Sequence, residues 1–103
     1  MENKLQKIVE ACEDKIAENI EIIDVQGKNT IGDYFIIVTG KNPNQTQAIA
    51  DEIEELATKE NYELLGIEGY RPGNWILCDL NDIIVHIFMP EDRKYYDLER
   101  LWN

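Results

Sequence analysis

The sequence predicts an α/β fold with a mixed β-sheet flanked by helices, in the order α-β-β-α-β-β-β-α. Three observations lead to this prediction. Apolar residues recur at helical spacing near the N-terminus and mid-chain, short apolar runs lie between these stretches, and Gly-, Pro- and Asn-rich turns separate them. Because 103 residues suffice to bury one core, we expect a single domain over residues 1–103.

The first three elements are a helix and two strands. Residues 3–18 carry an apolar stripe at helical spacing, and IEIIDV at 20–25 follows as a strand. The turn-rich segment QGKNTIG leads to DYFIIVTG at 33–40. This run is almost continuously apolar, which is typical of a central strand covered by helices on both faces.

The second helix, over residues 41–61, has a clear N-terminal signal. Asn42 can cap it, Pro43 occupies a position where a missing N–H costs nothing, and Gln45 suits a capping-box bond. Its other face is strongly acidic. These features predict an amphipathic helix packed on the sheet.

The last third supplies three strands and a helix. YELLGIEGY at 62–70 predicts a short strand, and WILCDL at 75–80 pairs with IIVHIF at 83–88 across a turn at Asn81–Asp82. We expect this hairpin to be exposed as a sheet edge that could accept another strand. Residues 91–102 predict one C-terminal helix. The residues expected to share one side of it are Tyr95, Leu98, Leu101 and Trp102.

Charge is the most informative bulk property. The formal net charge is −11, which disfavours direct nucleic-acid binding because such binding depends on cationic side chains. An acidic surface suits a basic protein partner, although solubility alone also explains it. No apolar run approaches the roughly 20 residues needed to span a membrane, and the N-terminus resembles no targeting signal. We therefore expect a cytoplasmic protein.

Cys12 and Cys78 are predicted to be reduced core residues. They lie far apart in the sequence, and neither has a second Cys or His nearby at zinc-ligand spacing. One falls on the apolar face of a helix and the other within a strand. We accordingly expect no structural metal.

Asp79, Asp82 and His86 raise the question of acid–base chemistry. Along a regular strand, Asp82 and His86 would lie about 13 Å apart, whereas Asp79 could approach His86 across the hairpin in a suitable register. No activated nucleophile, phosphate-binding glycine loop or alternating carboxylate pair accompanies them. We therefore expect no catalytic site and no cofactor.

The same region is rich in aromatic side chains mixed with a few charges, a composition typical of protein interfaces. Trp75 and Trp102 would alternatively close one end of the core. Taken together, the excess of large amphipathic side chains favours a partner surface. The residues predicted to bind a partner are Tyr70, Trp75, Asp79, Asp82, His86, Tyr95, Leu98, Glu99 and Trp102.

Five segments resemble the ribosomal silencing factor family, also called Iojap-like proteins. They are DVQGK (24–28), DYFIIVTG (33–40), GIEG (66–69), WILCDLNDIIVHIF (75–88) and YYDLERLW (95–102). They occur in family order and spacing, and the resemblance extends from about residue 4 to the C-terminus. The segment between the second and third blocks matches only in its pattern of residue types.

The resemblance implies a fold likened to nucleotidyltransferases but lacking their catalytic carboxylates. It also implies binding to the large ribosomal subunit through a basic protein, the fourteenth of the large-subunit series. Occupying that surface blocks joining of the small subunit and represses translation under nutrient limitation. Assistance in large-subunit assembly and formation of a homodimer are further implications.

Two functional hypotheses follow. The first is a non-catalytic, ribosome-binding repressor, with Trp75, Tyr95, Leu98 and Trp102 as interface anchors. In it, Asp79, Asp82, His86 and Glu99 pair with basic groups of the partner. The second is a small metal-dependent enzyme of nucleotidyltransferase type, in which replacing Asp79 or His86 would abolish turnover.

Overall fold

A computed structural model describes residues 2–28 and 32–102. Residues 29–31 of the predicted QGKNTIG connection lie outside this part. The described elements are α1 (Glu2–Asp14), β1 (Glu18–Asp24), β2 (Tyr34–Thr39), α2 (Pro43–Glu60), β3 (Gly66–Glu68), β4 (Trp75–Asp79), β5 (Ile83–Phe88), α3 (Pro90–Tyr96) and α4 (Leu98–Trp102). The α/β class and the order of the first seven elements are confirmed.

The five strands form one mixed sheet in the order β1-β2-β5-β4-β3. The β2–β5 pair is parallel, and the other three pairs are antiparallel. The nearly continuous apolar runs belong to β5, the middle strand, and to its interior neighbour β2, and both faces of these strands are buried. The predicted burial of β2 on both faces is therefore confirmed.

The β4–β5 hairpin is confirmed, but its predicted position at a sheet edge is wrong. Leu80 N–H donates to the Ile83 carbonyl across the turn, and Asn81 adopts the left-handed conformation with φ 75°. β5 pairs with β2 on its other side, and β4 pairs with β3. The outermost strands of the sheet are β1 and β3, so the hairpin offers no free edge.

Helices α1 and α2 cover one face of the sheet and enclose the larger core. Ile8 and Cys12 from α1 and Ile49 and Ile53 from α2 are fully buried there against the strands. Cys78 of β4 lies in the same core. Burial raises the pKa of both thiols to about 12, so both cysteines are inert packing residues, as the sequence predicts.

Helix α2 begins as predicted, with one displaced bond. Asn42 caps it by accepting from Gln45 N–H at 2.9 Å, and Pro43 is its first residue. Gln45 Oε1 accepts from Lys41 N–H rather than from Asn42 N–H, so the capping box is shifted by one residue. Gln45 Nε2 also donates to the Ile16 carbonyl, in the turn where α1 ends earlier than predicted.

The C-terminal segment forms two short helices instead of the predicted single one. Asp97 adopts the left-handed conformation with φ 50° and its N–H closes α3 on the Arg93 carbonyl. This break rotates the following residues. Leu98 is buried while Tyr95 is 81% exposed, so the predicted shared side is wrong. None of the described helices is long and apolar enough to cross a membrane.

The loop preceding β4 is held against the start of α2. Gly73 has φ 76°, and a Cβ there would lie 2.8 Å from Pro43 Cβ. The buried Thr46 hydroxyl donates to the Gly73 carbonyl at 2.6 Å. Because Trp75 follows two residues later, these contacts fix the point at which β4 enters the sheet.

We expect Thr46→Val to lower the free energy of unfolding by about 1–3 kcal/mol, because the buried Gly73 carbonyl loses its donor while side-chain volume is retained. Chemical denaturation measures this change. Thr58→Val is the matched control, since Thr58 is exposed and its hydroxyl bonds within its own helix. The control should change stability by less than about 0.5 kcal/mol. Equal effects for the two variants would contradict the proposed anchoring role of Thr46.

Candidate protein-binding surface

Among the described residues, the C-terminal segment is what covers the second face of the sheet. Helices α3 and α4 span 7 and 5 residues, against 13 and 18 for the helices on the first face. A smaller core lies beneath them. Its buried members are Ile23, Val25, Phe35, Ile37, Ile84, Phe88 and Leu98. Trp75, Leu77 and Trp102 pack at its margin and stay half-buried.

Aromatic rings form a chain of contacts across this face. Consecutive centroids are separated by 5.4, 4.8, 6.0, 4.5 and 5.1 Å. We call these six residues, in order, the aromatic row: Trp102, Phe35, His86, Trp75, Tyr96 and Tyr95. Three rings come from β2, β5 and β4, where side chains alternate between faces, and the other three come from α3 and α4.

One end of the aromatic row is open to solvent. Tyr95 is 81% exposed and Tyr96 is 41% exposed. Leu101, in the following helix α4, is 72% exposed. Large amphipathic rings that are held in place yet exposed are typical of interface anchors. The row therefore has the composition of a protein-binding surface.

His86 lies beneath this surface and is not paired with Asp79, the carboxylate that could have approached it in another register. The imidazole is 5% exposed, and its Nδ1 accepts a hydrogen bond of 3.2 Å from Trp75 Nε1–H. Burial lowers the pKa of His86 to about 4, so the ring is neutral at pH 7. Asp79 lies opposite Ile84 in the ladder, whereas His86 lies opposite Leu77. The register thus separates Asp79 from His86.

Asp79 and Asp82 both have partners around the hairpin turn. Asp79 Oδ1 accepts from Asn81 N–H at 2.9 Å, which stabilises the turn. Asp82 forms a 2.6 Å ion pair with Lys4 of α1, and the Lys4 ammonium also donates to the Leu80 carbonyl. These carboxylates lie at the end of the hairpin away from Trp75.

Glu99 pairs within the chain. Its Oε2 accepts from Arg93 Nε at 2.9 Å, and Arg93 Nη1 donates to the buried Thr39 hydroxyl. Glu99 Oε1 has no hydrogen-bond partner among the described residues. The pair fixes α4 to α3 across the break at Asp97.

Tyr70 lies apart from the aromatic row. Its hydroxyl donates to Asp51 of α2 at 2.9 Å, which also raises the pKa of Tyr70, and Gln47 of α2 donates to its carbonyl. Since α2 covers the opposite face of the sheet, Tyr70 lies apart from the aromatic side chains with which the sequence groups it. Proximity to Trp75 in sequence did not reveal this, because the turn at Gly69 intervenes.

The comparisons with known proteins agree with one another. The family described as "Ribosomal silencing factor during starvation" matches residues 1–103. The chain belongs to this ribosomal silencing factor family. The resemblance drawn from the five sequence segments is thereby confirmed.

Individual silencing factor relatives match over most of the chain. "Ribosomal silencing factor RsfS" of Halalkalibacterium halodurans is 41% identical over 99 residues, covering 96% of this chain and 85% of that protein. A crystal structure of a Chromobacterium violaceum protein superposes with a TM-score of 0.92 at 31% identity, covering 97% of this chain and 84% of that one. The fold is therefore shared with a solved structure.

More distant relatives carry organellar names. "Protein Iojap, chloroplastic" of Zea mays is 31% identical over 70 residues, covering 68% of this chain and 30% of that protein. "Mitochondrial assembly of ribosomal large subunit protein 1" of Mus musculus is 25% identical over 102 residues, covering 96% and 45%. Of these two names, that of the mouse protein refers to the large ribosomal subunit.

The structure brings together four of the predicted binding residues in this member of the silencing factor family: Trp75, His86, Tyr95 and Trp102. Leu98 lies beneath them as a core residue. Sequence reasoning did not name Phe35 or Leu77, and it counted Tyr96 among the aromatics of this region without including it among the predicted binding residues. The alternation of Trp75 and Leu77 along β4 is the signal that would have identified Leu77.

Negative charge is concentrated on the opposite side of the molecule. Helices α1 and α2 together carry nine acidic and three basic residues, whereas residues 90–102 carry four acidic and three basic residues. The aromatic row is therefore bordered by mixed charges.

We expect the stability of the fold to decrease between pH 6.5 and pH 4 through His86. In this window the unfolded chain binds a proton at His86 that the folded chain excludes, because burial lowers the folded-state pKa to about 4. The contribution lost is on the order of 3 kcal/mol at most. Denaturant unfolding at pH 7 and pH 4.5 measures it. Between pH 7 and pH 4.5, the free energy of unfolding of the His86→Leu variant should fall distinctly less than that of the parent chain. Equal falls would contradict burial of a neutral imidazole.

Proposed function

We propose that the protein is a non-catalytic repressor that binds the large ribosomal subunit through a basic ribosomal protein, the fourteenth of that subunit's series. By occupying the inter-subunit face it blocks joining of the small subunit and lowers translation when nutrients are limiting. Membership of the silencing factor family and the large-subunit name of the mouse relative support the ribosome as target. Assistance in assembly of the large subunit is part of the same proposal.

The observation that carries this proposal is the aromatic row, exposed at its Tyr95–Tyr96 end, over a thinly covered sheet face. Tyr95, Tyr96 and Trp75 would provide the desolvated anchors, with Trp102 at the other end of the row. Anchors of this type contribute most of the binding energy in protein interfaces. His86 and Leu98 would act from below, because both are buried.

The charges serve orientation in this proposal. The acidic helices α1 and α2 would repel ribosomal RNA and turn the opposite, aromatic face toward a protein surface. Glu99 Oε1 is buried and has no hydrogen-bond partner in the described part of the chain, so Glu99 would pair with a basic residue of the partner only after its side chain rearranges. Asp79 and Asp82 would contribute only if the contact extends to the hairpin turn.

The inhibition would be steric. No bond is made or broken, and affinity rather than chemistry sets the effect. A homodimer formed through the same aromatic row would compete with ribosome binding, since both would cover the same rings. The cytoplasm stays the expected location.

No observation favours the enzymatic alternative. Within residues 2–28 and 32–102, no three His, Cys, Asp or Glu side chains lie close enough to hold a metal ion. A groove between α1 and α2 is lined mainly by charged side chains from those helices. Its acidic lining would repel a nucleotide phosphate.

We expect Tyr95→Ala to weaken binding to purified large ribosomal subunits at least tenfold, the effect of removing an anchor worth about 1.4–2 kcal/mol. Because the Tyr95 ring is 81% exposed, the substitution should leave thermal stability almost unchanged. Co-sedimentation across a protein concentration series, at physiological salt, measures the dissociation constant. A small-subunit joining assay should show a matching loss of inhibition.

Tyr70→Ala is the matched control. It removes the same ring from the opposite side of the molecule, where the Tyr70 hydroxyl contacts Asp51, and should leave binding within about twofold. Equal binding by the Tyr95→Ala variant and the parent chain would contradict the aromatic surface. Failure of the parent chain to sediment with large subunits would overturn the proposed function itself.

A further inference from the structure

A partly buried hydrogen bond links the candidate binding surface to the sheet below it. Trp75 Nε1–H donates to His86 Nδ1 at 3.2 Å, and this is the hydrogen bond that the described structure gives to each of the two rings. Trp75 is half-buried, while His86 is 5% exposed. The aromatic surface is therefore hydrogen-bonded, through Trp75, to His86, which is too deeply buried to contact a partner itself.

The hydrogen bond fixes the tautomer of the histidine. An imidazole nitrogen that accepts carries no proton, so the proton of the neutral ring lies on Nε2. His86 Nε2 is buried and has no hydrogen-bond partner among the described residues. An unpaired buried N–H is unfavourable for folding, so stability alone does not account for an imidazole at this position.

The packing around Trp75 holds the plane of its indole ring. The hydrogen bond to His86 sets the direction in which the indole N–H points. Phe88 and Tyr96 pack against the indole with centroids at 4.9 and 4.5 Å, and both contacts are tilted apolar ones. Such contacts depend on the faces and edges of the rings and do not require the indole N–H to point at an acceptor. The hydrogen bond to His86 is directional and distinguishes the indole N–H edge from the other edges.

We propose that His86 is a positioning residue that orients the Trp75 indole for partner binding. This inference rests on the proposed function, because it assigns Trp75 a place in that interface. A pre-oriented anchor loses less conformational entropy on binding than one that must be ordered by the partner. Removing the orientation should therefore weaken binding about three- to tenfold without removing any contact atom.

The test compares two amide substitutions of His86, one that keeps a hydrogen-bond acceptor for Trp75 and one that removes it. In His86→Asn the side-chain oxygen lies near the position of Nδ1, so the acceptor for Trp75 is kept. In His86→Gln the amide extends to the position of Nε2, so that acceptor is lost, and His86→Leu removes every polar atom. We expect His86→Asn to bind large ribosomal subunits within about twofold of the parent chain and the other two variants to bind three- to tenfold more weakly.

Nuclear magnetic resonance gives a readout that is independent of the ribosome. The chain has two tryptophans, so Trp102→Phe assigns the indole N–H signal of Trp75. We expect slow solvent exchange of this proton in the parent chain and in His86→Asn, and fast exchange in His86→Gln and His86→Leu. Imidazole ¹⁵N shifts of the parent chain should show a protonated Nε2 and an unprotonated Nδ1.

The outcomes separate the two proposals. If the parent chain fails to bind large subunits, the proposed function fails, and the NMR signals still decide whether His86 orients Trp75. If the parent chain binds and His86→Gln binds equally well, the positioning role is overturned while the proposed function stands. If binding by the three variants falls in proportion to their thermal midpoints, and His86→Asn binds no better than the other two, His86 has only a packing role. That result also overturns the positioning role. A protonated Nδ1 in the parent chain does the same.

Discussion

The structure depends on how the two apolar faces of one sheet are covered. Strands β2 and β5 are buried on both faces, which requires a layer of structure on each side. Helices α1 and α2, of 13 and 18 residues, provide the larger layer on the first face. The second layer is a short C-terminal segment that is interrupted at Asp97, and it leaves Trp75, Leu77 and Trp102 only half covered. The aromatic surface is a direct consequence of this unequal coverage.

The same unequal coverage places the negative charge and the aromatic surface on different sides of the molecule, which the composition alone does not show. The formal charge of −11 describes the whole chain, but the excess of acidic residues is concentrated on α1 and α2. The aromatic side carries mixed charges and the hydrogen bond from Trp75 to His86. A basic partner would therefore meet aromatic anchors with local ion pairs, while the distant acidic helices influence approach and orientation through their longer-range field.

Local sequence signals predicted the fold well. The period-two and period-three-to-four patterns identified the strands and helices, and Asn42 with Pro43 located the start of α2. The features that sequence did not predict depend on distant pairing. The register of β4 against β5 separates Asp79 from His86, and Lys4 pairs with Asp82 across 78 positions. The left-handed residue Asp97 breaks a segment whose apolar spacing alone reads as one helix.

The most direct test of the central claim is site-specific photo-crosslinking to purified large ribosomal subunits. A benzophenone side chain replaces Tyr95 in one variant and Glu54, an exposed residue of α2, in the other. We expect the probe at position 95 to crosslink to one basic ribosomal protein and the probe at position 54 to give no ribosomal crosslink. Crosslinks from position 54 with none from position 95 would show that the acidic helices, and not the aromatic surface, face the ribosome.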